Sequence, residues 1–391
     1  MNTKLVIFGI TGDLSRRKLI PALSEIVATG DYEELSIIGV SRRDVDVKEL
    51  LGESNLVDRT SIYTMDLAKA GDYRGLSDSL DLQPDEQALI YLAVPASAAA
   101  DIVDFLGQAG LNAPNVKILF EKPFGFDLTS AEEFLERNER YFSEEQLYRI
   151  DHYMAKEIAQ YLLKLRSDAE SHHHPWGADS IAAIEVVASE NIGVEGRAHF
   201  YEETGALRDF IQGHLMQVLS LVLMEIPFDF TTDKLPEYRL AALKELEPAN
   251  PGLARRGQYE GYQGEVENKG SLTETFASIE LFSNDPSWQG VPLRLSTGKA
   301  LDEKRSYVTI SYRDGSSDTF EEGKVPVEGR MPDAYERVLI EAIDGHKSIF
   351  TTGPEVLRSW EILASVQQDW EMDNDPLELY APGTSLDDLL S

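Results

Sequence analysis

Residues 4–9, Lys-Leu-Val-Ile-Phe-Gly, form an unbroken apolar run closed by a glycine. Gly12-Asp13-Leu14 then opens a stretch with apolar side chains at Leu14, Leu19, Ile20, Leu23 and Ile26. This order reads as strand, tight turn, helix. Further apolar runs follow at residues 35–40, 87–94 and 116–120, and a helical stretch is expected over 96–107, after Pro95. Strand alternating with helix makes a parallel sheet, so the first part of the chain is expected to be an α/β, Rossmann-like doubly wound domain.

A first strand feeding a glycine-bearing turn and a helix N-terminus is how doubly wound folds set backbone N–H groups against a cofactor pyrophosphate. The turn here, Gly9-Ile10-Thr11-Gly12, departs from the usual GxGxxG spacing. Taken alone it is equally an ordinary strand-to-helix turn. The next strand ends in Ser41-Arg42-Arg43, where such a fold meets the adenosine ribose. An acidic residue at that place suits NAD, whereas arginine suits the 2′-phosphate of NADP through a bidentate, charge-assisted contact. Arg42 therefore favours NADP, with NAD the alternative because Asp44 follows closely. After the strand at 116–120 comes Glu121-Lys122-Pro123-Phe124-Gly125, which puts Lys122 at the carboxyl edge of the sheet, where open α/β folds bind ligands.

The 391 residues exceed the usual single-domain size, and the 42% apolar content is ample for two cores. With no cysteine there is no disulfide, thiolate metal site or cysteine nucleophile, so redox chemistry has to come from a borrowed cofactor. The net charge of −33, from 69 acidic against 36 basic residues, argues against nucleic acid or an anionic membrane as a partner. In so negative a field an anionic substrate needs locally concentrated Lys, Arg and His, so such clusters mark the places to search. No basic-plus-apolar leader precedes the first strand and no apolar run approaches transmembrane length, so the mature chain is expected to start near Met1. Cysteine absence is compatible with a cytoplasm, the expected location.

One such cluster is Ile150-Asp151-His152-Tyr153-Met154-Ala155-Lys156-Glu157. If this run enters a helix, Lys156 reaches what His152 or Tyr153 reaches, because residues three or four apart share a face. The plainer alternative is a helix start capped by Asp151. Beyond it, residues 181–189, 276–282, 292–297 and 307–312 have strand character, while 206–224 and 333–345 read as helices. This second half is expected to be an α+β domain. Ser171-His172-His173-His174-Pro175 looks like a metal site, but consecutive histidines cannot all point one way; it reads as a polar loop, and no metal is expected.

Several ordered motifs add a resemblance to these readings: GITGDLSRRKLIP at 9–21, EKPFG at 121–125, YRIDHYMAKE at 148–157, GVEGR at 193–197, GALRDFIQGH at 205–214, MEIP at 224–227, TETFA at 273–277, GVPLRLSTGKAL at 290–301 and AYERVLIEAI at 334–343. Together they resemble the glucose-6-phosphate dehydrogenase family over essentially the whole chain. The resemblance implies a cofactor domain at 1–148, a substrate-binding and dimerisation domain at 149–391 with a large, mainly antiparallel sheet, and a homodimer or homotetramer. It implies oxidation of glucose 6-phosphate at C1 to 6-phosphogluconolactone with hydride transfer to NADP, the first step of the oxidative pentose phosphate pathway. Carried over residue by residue, it makes His214 of the RDxxQxH pattern the general base and Asp151 the carboxylate that orients it. His152, Tyr153, Lys156, Lys299 and Lys304 take the phosphate, and Glu190 and Asp209 the sugar hydroxyls. Gly9, Thr11, Gly12, Asp13, Leu14, Arg42 and Pro95 meet the cofactor, with Lys18 and Lys122 lying between cofactor and sugar. The chain departs from the family between residues 312 and 331, which are few and lack its glutamine-proline-asparagine-glutamate stretch, so one sugar contact has no counterpart and part of the sheet is expected to be trimmed. Two rival readings share some features: a sugar dehydrogenase of the glucose-fructose and inositol oxidoreductase type, which lacks the DHY and RDxxQxH motifs, and a non-catalytic sensor of cofactor or sugar phosphate.

Overall fold

A computed structural model describes residues 2–168, 174–326 and 329–391. The chain forms two compact units. The first comprises Met1–Gly125, Thr129–Ala155 and Pro332–Gly353, the second Phe126–Leu128, Lys156–Met331 and Pro354–Ser391.

Among the described residues, the first unit carries a seven-stranded sheet made of β1 (Asn2–Phe8), β2 (Leu35–Ser41), β3 (Thr60–Thr64), β4 (Glu86–Leu92), β5 (Val116–Phe120), β6 (Leu147–Ile150) and β13 (Phe350–Thr351), in the order β13-β6-β5-β4-β1-β2-β3. β1 to β6 pair in parallel, Val6 lying between Ile38 and Ile90, and β13 pairs antiparallel with β6. Leu5, Val6, Ile7 and Phe8 are all fully buried, as a central parallel strand covered on both faces requires. Helices Ile20–Ala28, Ala70–Leu80 and Ala96–Gln108 connect the strands. The helix Ala334–Asp344, which sequence order places in the second half, packs here against Ile20–Ala28. Asp333 caps it, accepting from the Tyr335 N–H at 2.9 Å.

The second unit carries β7 (Ile181–Ser189), β8 (Ala254–Tyr259), β9 (Phe276–Leu281), β10 (Leu293–Gly298), β11 (Arg305–Tyr312), β12 (Ser317–Glu321) and β14 (Glu378–Tyr380), in the order β12-β11-β7-β10-β9-β8-β14. Only β10 with β7 and β14 with β8 are parallel among these pairs. The helical stretch expected over 206–224 is two segments, and a third helix runs into it. An α-helix, Ala198–Ala206, is interrupted at Gly205; a π-helix, Leu207–Leu215, follows; and a wholly buried α-helix, Met216–Leu223, completes it.

Helices Leu235–Glu245 and Gly353–Met372 are joined by a fully buried ion pair, with Arg239 Nε donating to Glu355 Oε1 at 2.8 Å and Nη2 to Oε2 at 3.3 Å. A buried bidentate pair contributes little net stability against apolar replacements of the same size, yet losing one partner strands a charge in the core. Arg239→Ala is therefore expected to lower the unfolding free energy by about 3–5 kcal/mol, and Arg239→Met with Glu355→Leu by much less. Urea denaturation of the two variants measures the difference, and equal losses would contradict this account of the pair.

Candidate active site

At the carboxyl edge of the first unit's sheet, Gly9 has φ +82°, and a Cβ on it would meet the Ala93 carbonyl oxygen at 2.4 Å. Only glycine lets β1 turn this close to the end of β4. The turn closes by the Gly12 N–H donating to Gly9 O at 2.8 Å, and the Ser15 hydroxyl donates to the same oxygen at 2.9 Å. Among the described residues, the N–H groups of Thr11, Asp13 and Leu14 donate to no protein acceptor. Open donors ahead of a helix suit a cofactor pyrophosphate. Asp13 itself is exposed and pairs with Arg17 at 2.7 Å. Arg42, exposed just past β2, lines a cleft with Thr64, Met65, Asp66, Lys69 and Asp72. Asp66 there is held below the usual carboxylate range, first by the Ala68 N–H and then by Lys69 and Arg42. Pro95 stands at the N-terminus of helix Ala96–Gln108.

Lys122 follows β5, and its bond to Pro123 is cis. Beside it, Glu121 accepts a hydrogen bond from the Tyr91 hydroxyl. Loss of water around the Glu121 carboxyl pushes its pKa up to about 7; the Tyr91 bond opposes this, the Asp151 charge adds to it, and Lys122 opposes it. The expected helical start at Asp151 is instead a turn. The Asp151 carboxylate accepts from the Tyr153 N–H at 3.0 Å, Met154 N–H donates to Asp151 O, and the helix begins only at Glu157 with Lys156 as its N-cap. A short polar side chain that bonds its own backbone two residues on competes with helix formation, which is why the run does not continue as one helical face. The His152 ring lies against Tyr153 at 5.1 Å between centroids and stacks on Tyr335 at 6.4 Å, while Lys18 Nζ stands 5.9 Å over the Tyr335 ring. Tyr335 and Glu121 lie within the AYERV and EKPFG motifs, yet the sequence assigns neither a role. The place of Glu121 at a strand end, beside Lys122, was a usable signal, but no local pattern announces Tyr335.

In the second unit, Lys299 is buried and ion-paired with Glu190. Its Nζ stands 4.9 Å from the Tyr201 ring centroid and 5.9 Å from that of Phe210, and Phe210 packs edge-on to the His214 imidazole at 5.6 Å. Asp209 and His214 are carried by the π-helix, and His214 is buried. The Tyr201 phenol is held well above its ordinary value by burial, then by the charges of Asp209 and Glu274. The unit thus gathers Glu190, Lys299, Asp209 and His214 around two aromatic rings. Lys304 is exposed ahead of β11, and among the described residues no ion pair or ring contact joins it to that group. His174 packs on Tyr312 at 4.1 Å, whereas His172 and His173 lie outside the described residues. Among the described residues, no helix is long and apolar enough to cross a membrane.

Open N–H donors at the βα turn of the first unit can hold a nicotinamide dinucleotide, and the second unit, by itself, sets a buried base candidate with a lysine–carboxylate pair, a set suited to a hydroxylated anion. Comparison with known proteins agrees. The family model for the glucose-6-phosphate dehydrogenase NAD-binding domain matches residues 6–55 and 52–161, and that for the C-terminal domain matches 163–329 and 323–388. Glucose-6-phosphate 1-dehydrogenase of Dickeya dadantii is 31% identical, with 97% of this chain and 94% of that protein covered. The alignment runs over 460 positions against 391 residues here, so the relative carries additional residues inside the matched span. A solved glucose-6-phosphate dehydrogenase in complex with its substrate glucose-6-phosphate superposes with a TM-score of 0.88 at 27% identity, covering 98% of this chain and 95% of that one. The glucose-6-phosphate 1-dehydrogenase of Mycobacterium avium gives 0.84 at 29%, with 98% and 94% covered. This chain belongs to the glucose-6-phosphate dehydrogenase family, as a short member with the family's nicotinamide cofactor domain.

Proposed function

We propose that the chain is an NADP-dependent glucose-6-phosphate dehydrogenase that oxidises its sugar at C1 to the lactone. The observation that carries this reading is the Lys299–Glu190–Phe210–His214 group, which sets a buried imidazole and a buried ammonium against the same Phe210 ring on a strongly acidic chain. Gly9, Thr11, Gly12, Asp13 and Leu14 would hold the cofactor's pyrophosphate, with Lys18, Lys122 and Pro95 toward its reactive end. The bound nicotinamide supplies a two-electron hydride acceptor. His214 accepts the proton of the C1 hydroxyl as that carbon loses its hydride and becomes a carbonyl. By the family match, Asp151 orients this base and stabilises its imidazolium, Glu190 and Asp209 hold sugar hydroxyls, and His152, Tyr153, Lys156, Lys299 and Lys304 take the phosphate. Lys299 is ion-paired with Glu190, so a phosphate binding to Lys299 competes with that carboxylate. Pairing of subunits through the second unit's sheet, as homodimer or homotetramer, and a cytoplasmic location follow from the same family reading.

NADP is favoured over NAD because Arg42 lines a cleft past β2 whose other cation, Lys69, is already paired with Asp66 at 3.4 Å, which leaves Arg42 as the cation to meet a 2′-phosphate. Arg42→Ala should raise the Michaelis constant for NADP by about 10-fold or more, the worth of one charge-assisted contact, and leave NAD use nearly unchanged. Equal weakening toward both cofactors would remove Arg42 from cofactor selection.

The role of His214 is tested by turnover. His214→Asn should lower it by roughly 100-fold to 10,000-fold with little change in affinity for glucose 6-phosphate, since a general base acts mainly in the transition state. A folded His214→Asn enzyme with normal turnover would mean that His214 only packs the core.

A further inference from the structure

The helix that carries Asp209 and His214 is wound as a π-helix, and the residues that impose this register sit outside it. In an α-helix two residues five apart point about 140° away from each other. In a π-helix, which bonds residue i to i+5 and winds about 4.4 residues per turn, they are only about 50° apart and share a face. Asp209 and His214 are five apart, so they share a face because the register is π. The start of that register is fixed by Glu274, which is buried at the head of the strand Phe276–Leu281. Its carboxylate accepts from the Leu207 N–H at 2.9 Å, and its backbone oxygen accepts from the Ala206 N–H at 3.0 Å. Gly205 makes room for it: at φ +63° and ψ −179° the preceding helix is broken, and a Cβ on Gly205 would lie 2.5 Å from Glu274 Oε1. The neighbouring residue, Thr275, accepts from the Lys299 N–H at 2.9 Å. Its hydroxyl is also bonded to Tyr380, which in turn donates to Lys299 O. One dipeptide therefore anchors both the helix of the base and the lysine beside it.

We infer that Glu274 is a positioning residue for the reaction: by capping the π-helix at Leu207 over the bare Gly205, it aligns His214 with Asp209. This rests on the reading of His214 as the base. The requirement is an acceptor oxygen at the right reach. Gln retains one, Asp retains the charge but falls a methylene short, and Ala has neither.

The test compares Glu274→Asp, Glu274→Gln and Glu274→Ala as full-length protein. Each is measured for turnover and KM with glucose 6-phosphate and for the pH titration of the His214 ring-proton NMR signal, assigned by its loss in His214→Asn. Glu274→Asp and Glu274→Ala are expected to lose about 100-fold in turnover with KM nearly unchanged, the scale of a misplacement near 1 Å, and to shift the His214 signal. Glu274→Gln should keep turnover within about 5-fold and retain the native His214 signal. If Glu274→Ala does not fold, the Asp and Gln variants decide the matter: equal turnover in those two, or an unmoved His214 signal in Glu274→Asp, overturns the inference. Normal turnover in His214→Asn defeats the base assignment instead, and leaves the NMR comparison to judge the alignment.

Discussion

A parallel strand at the edge of a sheet exposes a row of unpaired backbone groups, and the first unit satisfies β6 with chain that arrives some two hundred residues later. Phe350 and Thr351 pair antiparallel with Ile150 and Arg149. The Arg149 guanidinium, fully buried, is held by Glu144 at 2.8 Å, and the Glu144 carboxylate also takes the Gly353 N–H at 3.1 Å. Closing this edge costs a long loop, but loop entropy grows only slowly with length, so recruiting a distant segment is affordable. The same returning stretch brings helix Ala334–Asp344 against Ile20–Ala28 and places Tyr335 between Lys18 and His152. Edge protection and the layout of the carboxyl-edge residues are therefore one event.

The second unit solves a different problem, that of holding charged side chains in a largely apolar interior. Lys299 is screened by Glu190 and by the faces of Tyr201 and Phe210, which desolvate it without neutralising it. Its backbone is fixed on both sides, by Thr275 and by Tyr380. Ala300, the next residue, adopts φ +52°, a conformation that L side chains seldom take and that costs of order 1 kcal/mol. Its N–H and carbonyl are both bonded, to Ile192 and Gly383, so the surrounding structure holds the conformation in place.

What could be read from sequence was whatever depends on local pattern. The strands at 116–120 and 181–189 lie where their apolar runs place them, and the cap at Asp333 and glycine at 345 bracket the helix between them. The glycine turn at 9–12 and Lys122 at a strand end follow from residue type and spacing, whereas His214 is named only by the family resemblance. What could not be read depends on partners far along the chain. Residues 206–224 have uniform helical periodicity, and neither the break at Gly205 nor the π-register shows until Glu274 is known to reach Leu207. The spacing of the DHY run fits a helix face if the run enters a helix, but the Asp151 side chain ties it into a turn first. Tyr335 carries no pattern beyond an amphipathic helix, and its role in the stack with His152 comes from topology alone.

The central claim is that this short chain oxidises a phosphorylated sugar at C1 by hydride transfer. Incubation with glucose 6-phosphate deuterated at C1 and oxidised NADP, followed by mass analysis of the nicotinamide product, tests it most directly. The account predicts one deuterium in each reduced nicotinamide formed, and at least about 100-fold slower labelling from deuterated glucose without the phosphate, since several charge-assisted contacts are then lost. No label from glucose 6-phosphate, or equal labelling from both sugars, would contradict it.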